Sequence, residues 1–304
     1  MSYTCGSLRY LFAVAFVLLP IGACALFPSL DPYGACADGT CSGSDAATAE
    51  TGPNDSAIPS DAKDDLPPPS PDGGCIYAHP PTMVRLPSGC IDSTEVTRDQ
   101  YETFTAASPT TPKHDGPCGW NDTYAADKGY IVNNTKPNDP MRGIDWCDAR
   151  DYCAWAGKRL CGKVGGGSLT FDGYVADRKQ SEWYMACSQG GLRDYPYGTA
   201  IDDTYKVGYC YVDHPDAGQH DQAMVGSYPK CDVNDAGVLD LIGNVEEYID
   251  ACESTGDAGA DRCRTNGGIW RFGDYADCKF NASTTDRPRN NQFDWSTGFR
   301  CCAN

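Results

Sequence analysis

The chain has 304 residues, and its 42 acidic and 24 basic side chains give a formal net charge of −18 at pH 7. This balance argues against nucleic acid as a partner, because phosphates are neutralised by lysine and arginine. It suits a soluble acidic protein, including one that uses divalent cations.

The N-terminal run Leu8–Phe27 is the long apolar segment of the chain. Its stretch 10–19 has the length of a signal-peptide core and is short for a membrane-spanning helix. Residues 21–24 read Ile-Gly-Ala-Cys and resemble a bacterial lipobox, in which Cys24 is acylated and becomes the new N-terminus. Cleavage after Ala25 fits the same residues. A third interpretation is that the apolar segment stays uncleaved as a membrane anchor. We predict a signal peptide over 1–24 and an exported protein held at a membrane by lipid on Cys24.

The 18 cysteines agree with export, because disulfides persist in oxidising compartments and are rare in the cytosol. The sequence contains no Cys-x-x-Cys pair, so a zinc ribbon or a thioredoxin-type site has no support. Connectivity does not follow from spacing alone. Proximity along the chain favours two pairs, Cys75–Cys90 and Cys252–Cys263.

Residues 25–74 differ in composition from the rest of the chain. They are rich in proline, glycine and acidic residues, and they end in DLPPPSPDGG. Such a segment buries too little apolar surface to offset its ordering entropy, so we predict a disordered tether. Residues 75–304 hold all six tryptophans and are long enough for one domain with a substantial core.

Helical periodicity in residues 75–304 is limited to short segments. Apolar residues recur at helical spacing near 145–156 and 180–188. The remainder reads as short strands, turns and long loops. We therefore predict an irregular, disulfide-rich α+β domain with little regular secondary structure.

Several segments then occur in an order that carries a family resemblance. They are CIDSTEVTRDQYETF (90–104), DPMRGIDWCDARDYCAWAGKRL (139–160), SEWYMACSQGG (181–191), VGSYPKCDVNDAGVLDLIGNVEEYID (225–250), GGIW (267–270) and GFRCC (298–302). This order resembles the formylglycine-generating enzyme family, also called sulfatase-modifying factors. The resemblance implies that family's α+β fold, which is related to C-type lectins. About twenty residues, 161–180, form an insertion relative to the family pattern.

The stretch DLIGNVEEYID (240–250) interleaves carboxylates with apolar residues. Calcium takes six to eight oxygens from carboxylates and backbone carbonyls. The resemblance assigns a structural calcium ion to the side chains of Asp240 and Glu247 and to the carbonyls of Gly243 and Val245. The alternative is that these carboxylates cap a helix and solvate a turn.

The resemblance also defines where a copper site would lie. Enzymes of this family oxidise a cysteine of sulfatases to formylglycine, using oxygen and a copper ion between two thiolates, which suits soft Cu(I). Those cysteine positions correspond here to Phe272 and Asp277, and neither residue ligates copper through sulfur. Cys278 lies one residue further and is the remaining catalytic candidate. The substitutions argue against copper in this chain.

The resemblance further implies the disulfides Cys153–Cys301 and Cys187–Cys278, and an internally packed Arg300. His214 and His220 lie near acidic residues. They are either metal ligands or, on the simpler reading, loop histidines on an acidic surface.

Two hypotheses for function follow from these residues. The first is a non-catalytic binding or scaffold module on an exported tether, with a peptide, protein or glycan as its ligand. Phe272 and Tyr275 lie where the family opens its substrate cleft and are candidates to stack on such a ligand, with core packing as the alternative. The second is an active oxidoreductase that generates formylglycine in sulfatases with a displaced cysteine site at Cys278. An enzyme of unrelated chemistry in the same cleft is a third possibility.

Overall fold

The structure is a computed structural model that describes residues 74–107, 116–126, 136–197, 206–212, 222–257, 260–271, 276–280 and 296–304. The predicted signal peptide, Cys24 and the tether up to residue 73 lie outside these residues. Across the described ranges, no helix combines the length and the apolar character needed to cross a bilayer.

The first sheet joins the two ends of the domain. Its strands are β1 (Met83–Leu86), β2 (Gly89–Asp92), β3 (Arg159–Leu160) and β8 (Cys301–Ala303), in the spatial order β1-β2-β8-β3. All neighbours are antiparallel. Gly89 ends the β1–β2 turn at φ +132°, and a Cβ there would lie 2.9 Å from the carbonyl oxygen of Ala303. Glycine at this position therefore allows the last strand to pack beside the hairpin.

The second sheet is organised around β5 (Glu246–Cys252). Strand β6 (Cys263–Asn266) pairs with it antiparallel. Strands β4 (Leu169–Thr170) and β7 (Thr297–Phe299) pair with it in parallel, at different points along its length. Because β4 belongs to residues 161–180, the insertion noted in the sequence is part of the sheet.

Four short helices occur in the described part of the chain: α1 (Arg98–Ala107), α2 (Trp146–Trp155), α3 (Phe171–Ala176) and α4 (Glu182–Cys187). Two 3₁₀ turns cover Gly116–Cys118 and Arg178–Gln180. The helices predicted near 145–156 and 180–188 are confirmed as α2 and α4. The second begins later than predicted, because the Ser181 side chain accepts a hydrogen bond from the N–H of Tyr184 and caps the helix there.

An aromatic cluster fills the space between α1, α2 and the end of β7. Tyr101, Phe104, Tyr152 and Phe299 are each at most 2% exposed. Phe104 and Phe299 both meet the Tyr152 ring edge-to-face, at centroid distances of 5.6 and 5.3 Å. Such contacts add to the stabilisation from buried area. A second cluster surrounds the fully buried Trp183.

Seven disulfides cross-link the domain. The structure brings together the sulfurs of all four predicted pairs, Cys75–Cys90, Cys153–Cys301, Cys187–Cys278 and Cys252–Cys263. Three further pairs are Cys118–Cys147, Cys161–Cys302 and Cys210–Cys231. Every cysteine from residue 75 onward is therefore bonded to another cysteine. The predicted fold class, an irregular disulfide-rich α+β domain, is confirmed.

Asp145 caps α2 with a buried carboxyl group. Its side chain accepts a hydrogen bond from the N–H of Asp148 at 3.0 Å. Burial is the main cause that raises the pKa of Asp145, to about 7, and the carboxylate of Asp151 adds to it. An unfolded aspartate has a pKa of about 3.9. Because the folded state holds this proton more tightly, the carboxyl group stabilises the fold fully below about pH 4, and this contribution is lost as the pH rises through about 7.

We expect Asp145→Asn to flatten this part of the pH profile. Asparagine caps a helix about as well as aspartate but does not titrate in this range. Urea unfolding at several pH values between about 4 and 7 measures the slope of the unfolding free energy. Asp99→Asn, at an exposed position of α1, is the matched control and should keep the wild-type slope. Equal slopes for Asp145→Asn and the wild type would contradict the prediction.

Candidate functional site

The loop before β5 is held in a tight, left-handed path. Asp240, Gly243 and Asn244 have φ values of 59°, 75° and 51°. A Cβ at Gly243 would lie 2.3 Å from Cγ2 of Val212 and 2.6 Å from the carbonyl oxygen of Tyr211. Only glycine satisfies both the backbone angle and this close approach. The Gly-Asn pair therefore holds the loop against the segment 211–212.

Glu247, the second residue of β5, forms a buried ion pair with Arg300. The Arg300 Nε donates to both carboxylate oxygens, at 2.9 and 2.7 Å, and its Nη2 donates to Oε1 at 2.6 Å. The indole Nε1 of Trp183 donates to Oε2 at 2.7 Å. Both charged side chains are at most 1% exposed. The internal packing of Arg300 that the resemblance implied is what the structure has.

Arg300 also contacts the backbone of β2 and of the loop before β5. It donates to the carbonyl oxygens of Asp92 at 3.1 Å and of Leu239 at 2.9 Å. A guanidinium group has five N–H donors in a fixed plane, which suits several acceptors at once. The Gly-Phe-Arg segment therefore places one cation at the centre of the domain.

Two carboxyl groups, those of Glu95 and Asp240, meet beside this ion pair. Asp240 accepts a hydrogen bond from the N–H of Gly226 at 2.6 Å, and Glu95 accepts one from the side-chain amide of Asn244 at 2.9 Å. Burial raises the pKa of Asp240 to about 6 and raises the pKa of Glu95 well above its ordinary value. The neighbouring Asp240 carboxylate adds to the raised pKa of Glu95, because a nearby like charge disfavours ionisation.

A second buried ion pair lies on the other side of Arg300. Lys158 Nζ donates to Asp92 Oδ1 at 2.7 Å and to the carbonyl oxygen of Pro81 at 2.7 Å, and neither charged side chain is exposed. The N–H of Cys301 donates to Asp92 Oδ2 at 2.8 Å. Burial raises the pKa of Asp92 to about 6, against the opposing effect of Lys158.

These contacts explain residues that the sequence analysis did not single out. Glu95, Asp92 and Lys158 all lie inside the quoted family segments 90–104 and 139–160. Their alternation with apolar residues was the available signal, since a charged residue flanked by core positions is often buried with a partner. Their partners come from distant segments, and sequence spacing does not reveal them.

The side chains of the predicted calcium set already have hydrogen-bond partners in this structure. Each oxygen of Glu247 already accepts two hydrogen bonds from Arg300 or Trp183, and a carboxylate has about four acceptor positions in all. Asp240 Oδ2 accepts a hydrogen bond from the N–H of Gly226. Over the described residues, no group of three or more His, Cys, Asp or Glu side chains is arranged to hold a metal ion. Arg300 thus binds the Glu247 carboxylate, which the resemblance assigns to calcium.

The positions that correspond to the copper cysteines hold no thiol. Phe272, Tyr275 and the loop histidines His214 and His220 lie outside the described residues. The Asp277 carboxylate accepts hydrogen bonds from the N–H groups of Lys279 and Phe280, at 2.8 and 2.6 Å, and caps a turn.

Cys278, the remaining catalytic candidate, is fully buried and bonded to Cys187. The thiolate is the nucleophile and the metal ligand, so Cys278 can serve as neither in the oxidised protein.

Residues 49–304 match the model of the sulfatase-modifying factor enzyme 1-like domain. This match begins before the predicted domain boundary at residue 75.

Curated relatives carry two kinds of name. The inactive C-alpha-formylglycine-generating enzyme 2 of Bos taurus is 31% identical over 115 residues, which cover 36% of this chain and 32% of the relative. The Mus musculus protein of the same name is 29% identical over 174 residues, 54% of this chain and 49% of the relative. The formylglycine-generating enzyme of Bos taurus is 25% identical over 122 residues, 37% of this chain and 27% of the relative. The alignments thus span between about a quarter and a half of these relatives.

Among solved structures, PvdO from Pseudomonas aeruginosa superposes with a TM-score of 0.47 at 19% identity, covering 70% of this chain and 79% of that one. The family model covers most of the chain, including every segment on which the resemblance was based. The chain belongs to the sulfatase-modifying factor family, also known as the formylglycine-generating enzyme family.

Proposed function

We propose that residues 75–304 form a non-catalytic binding or scaffold module of this family, exported on the 25–74 tether and anchored at a membrane through lipid on Cys24. One observation carries the proposal. Of the 18 cysteines, four precede residue 75, and the other fourteen form the seven disulfides. The domain therefore offers no thiolate to a copper ion.

The chemistry of a copper site explains why the disulfides support the proposal. Soft Cu(I) is selected by thiolate and thioether ligands. A sulfur atom in a disulfide is not a thiolate and lacks the negative charge of that ligand. Residues 272 and 277 are Phe and Asp, so the ligand positions of the family are also altered in the sequence. Two of the relatives named above are called inactive, which supports the same interpretation.

Export is supported by the disulfide density, because seven cross-links in one domain are typical of an oxidising compartment. The ligand we propose is a peptide, protein or glycan, by analogy with the lectin-related fold. A fold shared by proteins of many functions does not identify the ligand.

A free-thiol count tests the absence of a copper site. The exported, purified protein is denatured and alkylated with and without prior reduction, and the mass shifts are compared. We expect no alkylation of residues 75–304 without reduction and fourteen modified cysteines after reduction. Alkylation of two cysteines without prior reduction, one of them Cys278, would overturn the proposal. Copper titration would then be the next experiment.

Calcium is the second component of the proposal, and it rests on the family resemblance. Calcium at Asp240 and Glu247 requires the ion to share or displace the contacts with Arg300. Melting curves in excess calcium and in excess chelator measure this directly, because a ligand that binds only the native state raises its melting temperature. A higher melting temperature in calcium supports the bracing role. Equal melting temperatures would leave Arg300 as the sole cation of the loop and would remove calcium from the proposal.

A further inference from the structure

An apolar groove of ≈ 300 Å³ opens on the face that contains α4 and the β1–β2 hairpin. Its walls come from the hairpin, the insertion, α4 and the 233–236 turn, and they include Leu86, Pro87, Val164, Met185, Ala186 and Val233. Val164 is 39% exposed at the groove. An open apolar surface of this kind marks an interaction site more often than a scattered exposed residue does.

One side of the groove rim, formed by the insertion and the end of α4, carries basic side chains, whereas the exposed Asp235 lies on the 233–236 turn. Lys163 precedes Val164 and is exposed. The exposed Lys179 lies against Gly191, at the C-terminal end of α4. Arg193 donates to the side chain of Gln189, a groove residue, at 3.0 Å. Asp194, which follows Arg193, is paired with Lys279. The basic side of the rim therefore favours a ligand that carries negative charge beside an apolar segment.

The tether enters the domain next to this groove. Cys75, one residue after the first described position, is bonded to Cys90 in β2. The turn that leads into β2 contributes Pro87 and Ser88 to the groove wall. A disulfide thus fixes the chain entry close to one end of the groove.

The sequence that precedes this entry point matches the groove in chemistry. Residues 61–72 read DAKDDLPPPSPD, with an apolar centre from Leu66 to Pro71 and aspartates at 61, 64, 65 and 72. A proline-rich stretch favours the extended polyproline conformation, so binding costs little further ordering. At about 3.1 Å per residue, the nine residues from Leu66 to Cys75 reach about 28 Å.

We propose that residues 61–72 of the chain itself dock in this groove, with Leu66 and the prolines on the apolar walls and the aspartates at the basic rim. Because the segment is attached beside the groove, its effective concentration is of the order of 1 mM, so an intrinsic affinity of about 0.1 mM keeps it about nine-tenths docked. Docking shortens the free tether and places the domain nearer its anchor.

Trypsin cleavage after Lys63 tests this proposal in the full exported protein. Lys63 is the single basic residue between positions 25 and 74, so its cleavage reports on the segment alone. Val164→Asp puts a charge on the apolar wall and should accelerate this cleavage about tenfold, since cleavage follows the undocked fraction. Val175→Asp, at a residue of α3 that is 41% exposed and is not part of the groove wall, is the matched control and should cleave at the wild-type rate. Raised salt should accelerate cleavage of the wild type, because it screens the rim charges.

Equal cleavage rates in the wild type and in Val164→Asp would overturn the proposal, provided that both variants keep the wild-type melting temperature. Protection that disappears on dilution would also overturn it and would assign the groove to a second copy of the chain.

A photo-cross-linker independently identifies the site. With p-benzoylphenylalanine in place of Leu66, we expect cross-links within one chain to peptides that contain Leu86 or Met185. Cross-links that avoid both peptides would contradict docking in this groove.

Discussion

Replacing Arg300 with leucine should destabilise the domain by about 3–5 kcal/mol, because it leaves the buried carboxylate of Glu247 without a counter-charge. The same substitution removes the donors to the carbonyl oxygens of Asp92 and Leu239. Urea unfolding of the oxidised protein, followed by tryptophan fluorescence, measures the loss.

The matched control is Arg98→Leu. Arg98 also forms an ion pair, with Glu102, but the two side chains are 25% and 56% exposed. Exposed pairs contribute about 0–1 kcal/mol, so this variant should stay close to the wild type. A double variant, Arg300→Leu with Glu247→Leu, should recover part of the loss, because it removes both buried charges. A loss below about 1 kcal/mol for Arg300→Leu alone would contradict the assignment of this pair as the centre of the domain.

Removing the disulfides Cys153–Cys301 and Cys161–Cys302 together should cost more than the sum of the two single removals. The two bridges start eight residues apart, at Cys153 and Cys161, and end at the adjacent residues Cys301 and Cys302. Their sequence separations are 148 and 141. While one bridge is present, the other closes an effective loop of only about ten residues, and its removal costs about 3 kcal/mol in the chain-entropy model. Removing both also opens the larger loop, which the Cys187–Cys278 bridge shortens to about 60 residues, and the total reaches about 7 kcal/mol.

Unfolding free energies of the two single-bridge variants and of the four-cysteine variant, with alanine at each position, complete this cycle. Removal of Cys252–Cys263, which closes a loop with a sequence separation of 11, is a control for the loss of one short-loop bridge. It should cost about 3 kcal/mol and should add to either single variant. Simple additivity of the two neighbouring bridges would contradict the nested-loop account.

Much of the fold could be predicted from the sequence, because local patterns and segment order carry it. Helix α2 follows from apolar residues at helical spacing behind the cap at Asp145. The order of the segments that end in Gly-Phe-Arg indicated the family that the match over residues 49–304 shows. The replacement of both copper cysteines was also visible in the sequence, since it depends only on which residues occupy two positions.

The tertiary structure decided what each charged residue of these segments does. From the residue types, the carboxylate of Glu247 suited either a calcium ion or a helix cap and solvated turn. Arg300 lies 53 positions away in the sequence, and only folding brings its guanidinium group to both oxygens of Glu247. In the same way, Lys158 reaches Asp92 across 66 positions. A carboxylate accepts any donor that fills its lone pairs, so residue type limits the partners without selecting one, and the packing of distant segments makes the choice.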